Sequence, residues 1–136
     1  MLNAVAQQVL PYLLPPDTTS LWIIDDTSIR KKGRHSVGVS HQYCGEIGKQ
    51  DNCQVADSLS MAIEQASLPV AWRLYLQHHG QTIGRAGVPE KIDFATKPEI
   101  ALQQVRETLD TNITPGIVLA DAAYSKVTPW REQLAE

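Results

Sequence analysis

Two cysteines, Cys44 and Cys53, are all that this chain of 136 residues contains. That is too few for a disulfide framework, so the fold has to rest on an apolar core. A zinc site built on the pair would need His35, His41, His78 or His79, whose spacings match no standard motif. Reduced thiols are the expectation. Long apolar runs are missing as well: nothing approaches the roughly 18 residues of a membrane-spanning helix, and no basic segment precedes the first apolar residues. We therefore expect a soluble, cytoplasmic protein with no membrane partner. A basic excess is also absent, with 12 Lys and Arg against 15 Asp and Glu and a net charge of −3. A self-sufficient nucleic-acid binder carries the opposite balance, so any DNA contact has to be local or supplied by other polypeptide. There are no internal repeats and no low-complexity tracts.

What is present is an apolar fraction of 43%, which at this length suits one globular domain. Leu2, Val5, Ala6, Val9 and Leu10 recur at helical spacing until Pro11 and the Pro15-Pro16 pair, which predicts a short leading helix. Residues 21 to 26, Leu-Trp-Ile-Ile-Asp-Asp, read as a strand ending in carboxylates. Alternation puts Trp22, Ile24 and Asp26 on one face and Ile23 and Asp25 on the other. The basic turn Arg30-Lys31-Lys32-Gly33-Arg34 follows. Ser36 to Ser40 and Cys53 to Met61 then alternate at period two around a glycine-containing loop, which predicts an antiparallel hairpin. Leu68 to Leu76 continues the sheet, and Gln77 to Gly87 is polar and loop-like. Thr96 and Glu99 form a capping-box signature ahead of Leu102, Val105 and Leu109, predicting a helix over about 97 to 110. An apolar strand, 117 to 120, ends at Asp121, and Thr128-Pro129 opens a final helix.

Two buried strands that each end in a carboxylate are the most informative feature. Hard cations such as Mg²⁺ take oxygen ligands and are commonly held by one or two carboxylates. The order strand, hairpin, helix, buried strand, helix describes an α/β fold with an RNase H-like mixed sheet, in which the two aspartate-bearing strands lie adjacent and parallel.

The runs Trp22-Ile-Ile-Asp-Asp-Thr27, Lys31 to Val39, Gln42-Tyr-Cys-Gly45, Gly48 to Val55, Leu68 to Leu76, Ala86-Gly-Val-Pro89 and Val118-Leu-Ala-Asp-Ala-Ala-Tyr124 together resemble DDE-type insertion-sequence transposases over nearly the whole chain. The resemblance implies a three-carboxylate site that binds two Mg²⁺ (or Mn²⁺) ions. Water and then a DNA 3′-hydroxyl would attack phosphodiesters at transposon ends. Carried over, the catalytic and metal-binding aspartates are Asp26, directly before threonine, and Asp121. Asp25 and Tyr124 would support the ligands without binding the metal, and Lys31, Lys32 and Arg34, with Arg30 beside them, would contact DNA. Residues 1 to 16 would be a helical lead-in and 17 to 136 a partial catalytic domain. The family's glutamate follows a further strand, and Glu132 and Glu136 fall too early to replace it.

The truncated domain is therefore expected to be inactive alone, either as a relic or as a fragment that binds a full-length transposase and interferes with it. Asp57 adds to this picture, because it shares a face with Val55, Leu59 and Met61 where the family has an apolar residue. A buried carboxylate is costly unless it is paired or protonated. The Gln77–Arg85 stretch is also shorter than its family counterpart, another mark of a decaying copy.

Each residue has a plainer reading. Aspartates at strand ends commonly form turns or cap helices, and basic hairpin turns discourage edge pairing. His35 and His41 read as surface residues, Tyr43, Trp72 and Tyr75 as sheet packing, and Tyr124 as a core residue with its hydroxyl in water. A phosphoacceptor receiver domain also has an acidic pair on its first strand, but a helix follows that strand, not a basic turn and a hairpin.

Overall fold

The computed structural model describes residues 2–15, 17–77, 92 and 94–135. The elements are α1 (Leu2–Leu13), β1 (Leu21–Arg30), β2 (Ser40–Cys44), β3 (Lys49–Ile63), β4 (Ala66–Tyr75), α2 (Lys97–Leu109), β5 (Ile117–Ala120), α3 (Ala122–Ser125) and α4 (Thr128–Ala135). The predicted loop beyond Gln77, His78, His79, the Ala86–Pro89 run and Glu136 lie outside the described residues.

The long strand β3 organises the sheet. Its first part pairs with β2 and its second with β4, both antiparallel on one side, while β1 runs antiparallel along the other. Strand β5 then adds to β1 in parallel, with Leu21 opposite Ile117 and Ile24 opposite Ala120. This mixed five-stranded sheet with helices after it is the expected α/β, RNase H-like arrangement.

Alternation along the strands turns Trp22 and Ile24 of β1, Leu59 and Met61 of β3 and Val70 of β4 to one face. Ala6 and Leu10 of α1, Ala101, Leu102 and Val105 of α2, Tyr124 of α3 and Trp130 of α4 close over it. On the opposite face Ile117, Leu119 and Trp72 stay 55%, 44% and 50% exposed, and no described helix lies over them. The strand predicted to be buried is therefore an edge strand with one apolar side in solvent. Its second edge has no partner among the described residues.

Two boundaries also differ from the sequence prediction. Strand β1 does not end at Asp26 but continues to Arg30, because β3 is long enough to pair with it as far as Cys53. The first hairpin strand is Ser40–Cys44 instead of Ser36–Ser40. Gly38 sits at φ +73, and a Cβ there would meet the Leu74 side chain at 2.8 Å, so residues 36–39 form a turn closed by Val39 N–H donating to the Ser36 carbonyl. Pro11 lies inside α1, two residues before its end at Leu13, instead of stopping it.

Candidate active site

The site begins where the parallel ladder stops. Past Ile24 strand β5 no longer accompanies β1, and the next core-side residue is Asp26, directly opposite Asp57 across the antiparallel ladder. Two carboxylates on facing positions of one sheet face repel each other, and the surroundings supply what offsets this. The Lys97 ammonium, at the first turn of α2, donates to Asp26 Oδ2 in a short, half-exposed ion pair. The same ammonium lies 5.6 Å from the centre of the Tyr75 ring. Its backbone is fixed by the cap of α2, where the Glu99 carboxylate accepts from the Thr96 N–H and hydroxyl at 2.7 Å each.

Asp57 is fully buried. Tyr124 donates its hydroxyl to Asp57 Oδ1 at 2.5 Å, and Gln104 donates to the Asp57 carbonyl at 3.1 Å. Asp57 Oδ2 finds no partner among the described residues. Burial pushes the Asp57 carboxyl up to about 6, against the opposing effects of the Tyr124 hydrogen bond and of Lys97. Burial raises the Tyr124 phenol far above its ordinary value, with Asp57, Asp26 and Asp121 all adding to the shift. Three carboxylates thus bear on one buried tyrosine. Asp121 itself is exposed and caps α3, with Oδ1 accepting from Ala123 N–H at 2.5 Å. A cavity of about 250 Å³ opens beside Asp26, lined by Tyr75, Thr96, Lys97, Pro98, Ala123 and Tyr124.

Residues 1–136 match the family model described as DDE superfamily endonuclease. The chain belongs to this superfamily. It is 30% identical over 104 residues to a protein described as the probable transposase for insertion sequence element IS701 of Microchaete diplosiphon. That stretch covers 76% of this chain but 26% of the relative, so the chain spans about a quarter of the curated relative's length. No solved structure matches it.

In this DDE superfamily member, Asp26 lies within β1, two residues past the last position paired with β5, and Asp121 directly follows β5, so both stand just beyond the same end of the parallel ladder. Asp25 points away from the core, and its Oδ1 accepts from the Asp26 N–H at 2.9 Å. Lys32 and Arg34 are exposed and Lys31 is half-exposed in the turn after β1. From Asp26 to Lys31 the strand rises by roughly 15 Å. Arg30 is engaged elsewhere, with Nε 2.7 Å from Asp51. Among the described residues, no three His, Cys, Asp or Glu side chains converge as a metal-binding group. Hard cations are commonly held by one or two carboxylates, and Asp57, facing Asp26 with its buried Oδ2 unpartnered among the described residues, adds an oxygen donor beside that carboxylate.

His35 and His41 are exposed, as read from the sequence. Tyr43 and Trp72 are not packed into the sheet but stand 65% and 50% exposed. Tyr75 does pack, against the buried Cys44, Cys53 and Val55. Both thiols are free, and burial with the neighbouring Cys44 raises the Cys53 thiol to about 11. Sequence reasoning missed Lys97, and it read Asp57 as a misfit. Tyr124 is the partner that makes the buried carboxyl tolerable, and its hydroxyl is not in water.

Proposed function

We propose that residues 17–136 form the first part of a DDE transposase catalytic domain, with residues 1–16 leading into it, and that Asp26 and Asp121 are its first two acidic metal ligands. The observation that supports this reading is the parallel pairing of β1 with β5, whose ladder stops at Ile24 and Ala120, just short of Asp26 and Asp121. Asp26 and Asp121 would hold Mg²⁺ or Mn²⁺, which when bound would supply Lewis-acid stabilisation of the attacking and leaving oxygens in DNA phosphodiester hydrolysis and strand transfer. Asp25 and Tyr124 support the carboxylates: Asp25 through the Asp26 N–H, Tyr124 through Asp57. Lys31, Lys32 and Arg34 would meet the phosphates of transposon-end or target DNA, and the protein would act in the cytoplasm. Among the described residues, no helix is long and apolar enough to cross a membrane.

The third carboxylate would come from polypeptide beyond this chain. The greater length of the IS701 relative supports that view. The chain alone is then expected to leave supercoiled plasmid carrying transposon ends uncut in Mg²⁺ or Mn²⁺, and robust metal-dependent cleavage that disappears in Asp26→Asn would overturn it. The exposed apolar face of β5 favours a second reading, a fragment that docks on a full-length transposase. Co-purification of a tagged chain with a complete transposase tests that reading directly.

A further inference from the structure

Among the described residues, Lys97 is the cation paired with Asp26. Its ammonium is paired with the same Asp26 oxygen that would be offered to a divalent ion. Burial does not lock it there: Lys97 is a third exposed, its partner a little more than a quarter, and the flexible stem hangs from a rigidly capped helix start. The cavity lined by Lys97, Tyr75 and Tyr124 leaves about 250 Å³ into which the ammonium can swing. Removing Lys97 would leave Asp26, and Asp57 opposite it on β3, without a close counter-ion among the described residues, and a divalent cation is the natural replacement.

We propose that Lys97 is an exchangeable counter-ion of Asp26: it neutralises the carboxylate until a divalent cation displaces it, and the freed ammonium then turns into the cavity to contact a phosphodiester. The inference rests on Asp26 being a metal ligand, as proposed above. It makes Lys97 a competitor of the metal and a helper of the DNA, two effects of opposite sign that a merely structural lysine does not produce. A half-exposed ion pair is worth no more than about a factor of five in an equilibrium.

The test is Mn²⁺ binding to the whole 136-residue chain, followed by electron paramagnetic resonance, for the wild type, Lys97→Met, Lys97→Arg and Asp26→Asn. Lys97→Met is expected to bind Mn²⁺ roughly three- to fivefold more tightly and Lys97→Arg to match the wild type. In saturating Mn²⁺, Lys97→Met is expected to bind a short single-stranded oligonucleotide several-fold more weakly. Unchanged or weaker Mn²⁺ binding in Lys97→Met, or unchanged oligonucleotide binding, overturns the exchange. If Asp26→Asn binds Mn²⁺ as the wild type does, the metal-ligand reading of Asp26 fails, and the exchange fails with it. If Asp26→Asn loses binding while Lys97→Met does not gain it, only the exchange fails. A measurement on the unsubstituted chain covers the case of a variant that does not fold. Titration with Mg²⁺ should move the Lys97 side-chain NMR resonance from its position over the Tyr75 ring, and a resonance that stays put while Asp26 responds overturns the proposal.

Discussion

Asp57 is the residue at which burial and charge are most directly opposed, and the balance is measurable. Its carboxyl is raised from an ordinary value of 3.8 to about 6 by burial. The folded protein therefore holds this proton more tightly than the unfolded chain. Its contribution to stability is fully present below about pH 4 and is lost as the pH rises through about 6. Two pKa units correspond to a swing of at most about 3 kcal/mol. Asp57→Asn keeps an acceptor for Tyr124 and cannot ionise, so its stability relative to the wild type should improve between pH 4 and pH 7. Urea unfolding of both proteins in EDTA at several pH values checks this, since other carboxylates cancel in the difference; a difference that does not change with pH refutes it. At this scale the sequence was informative about Asp25 and Asp26, because alternation alone assigns them to opposite faces. It was silent about Lys97, which meets Asp26 from 71 positions away and carries no local signature of that meeting. Asp57 looked out of place because its partner, Tyr124, is contributed by a helix 67 positions later.

Among the elements, β5 is held to β1 by an unusually close approach. A Cβ on Gly116 would lie 2.3 Å from the Ser20 carbonyl oxygen and 2.6 Å from the Trp22 ring, and Ile117 N–H donates to that same carbonyl at 2.9 Å. Backbone cannot yield there as a side chain can. Gly116→Ala should push β5 away from β1 and cost roughly 1–3 kcal/mol, seen as a lower urea midpoint with NMR shifts confined to Ser20–Ile24 and residues 116–121. Strands and helices with strong local signals were legible: the capping box placed α2 within a residue of its end, and Ile117–Ala120 is the strand the apolar run predicted. The misjudged boundaries have a common cause. Where β1 ends depends on how far β3 reaches, and β2 hides its pattern because the inward position holds Gln42, whose amide donates to the Cys53 carbonyl. Such facts belong to the partner strand, not to the segment being read.

At the scale of the whole molecule, the helices gather on one side of the sheet, and Ile117, Leu119 and Trp72 are left in solvent on the other. An exposed apolar face of this kind invites association. The isolated chain should bind an environment-sensitive dye such as ANS while folded and aggregate at modest concentration. Leu119→Lys should reduce both while altering stability by no more than about 0.5 kcal/mol; unchanged dye binding would argue that the face is covered. The antiparallel pairings of β3 with β1, β2 and β4 join segments that are near in sequence, whereas β5 reaches β1 only after the chain has closed a loop across most of its length. Closing such a loop is entropically costly and slow, and the reward here is a ladder that runs only from Leu21 to Ile24. Native-state hydrogen exchange should therefore find the β5 amides opening in a smaller unit, at lower free energy, than those of β1 and β3. Asp26 and Asp121 would then be the last pair to become neighbours during folding and the first to part.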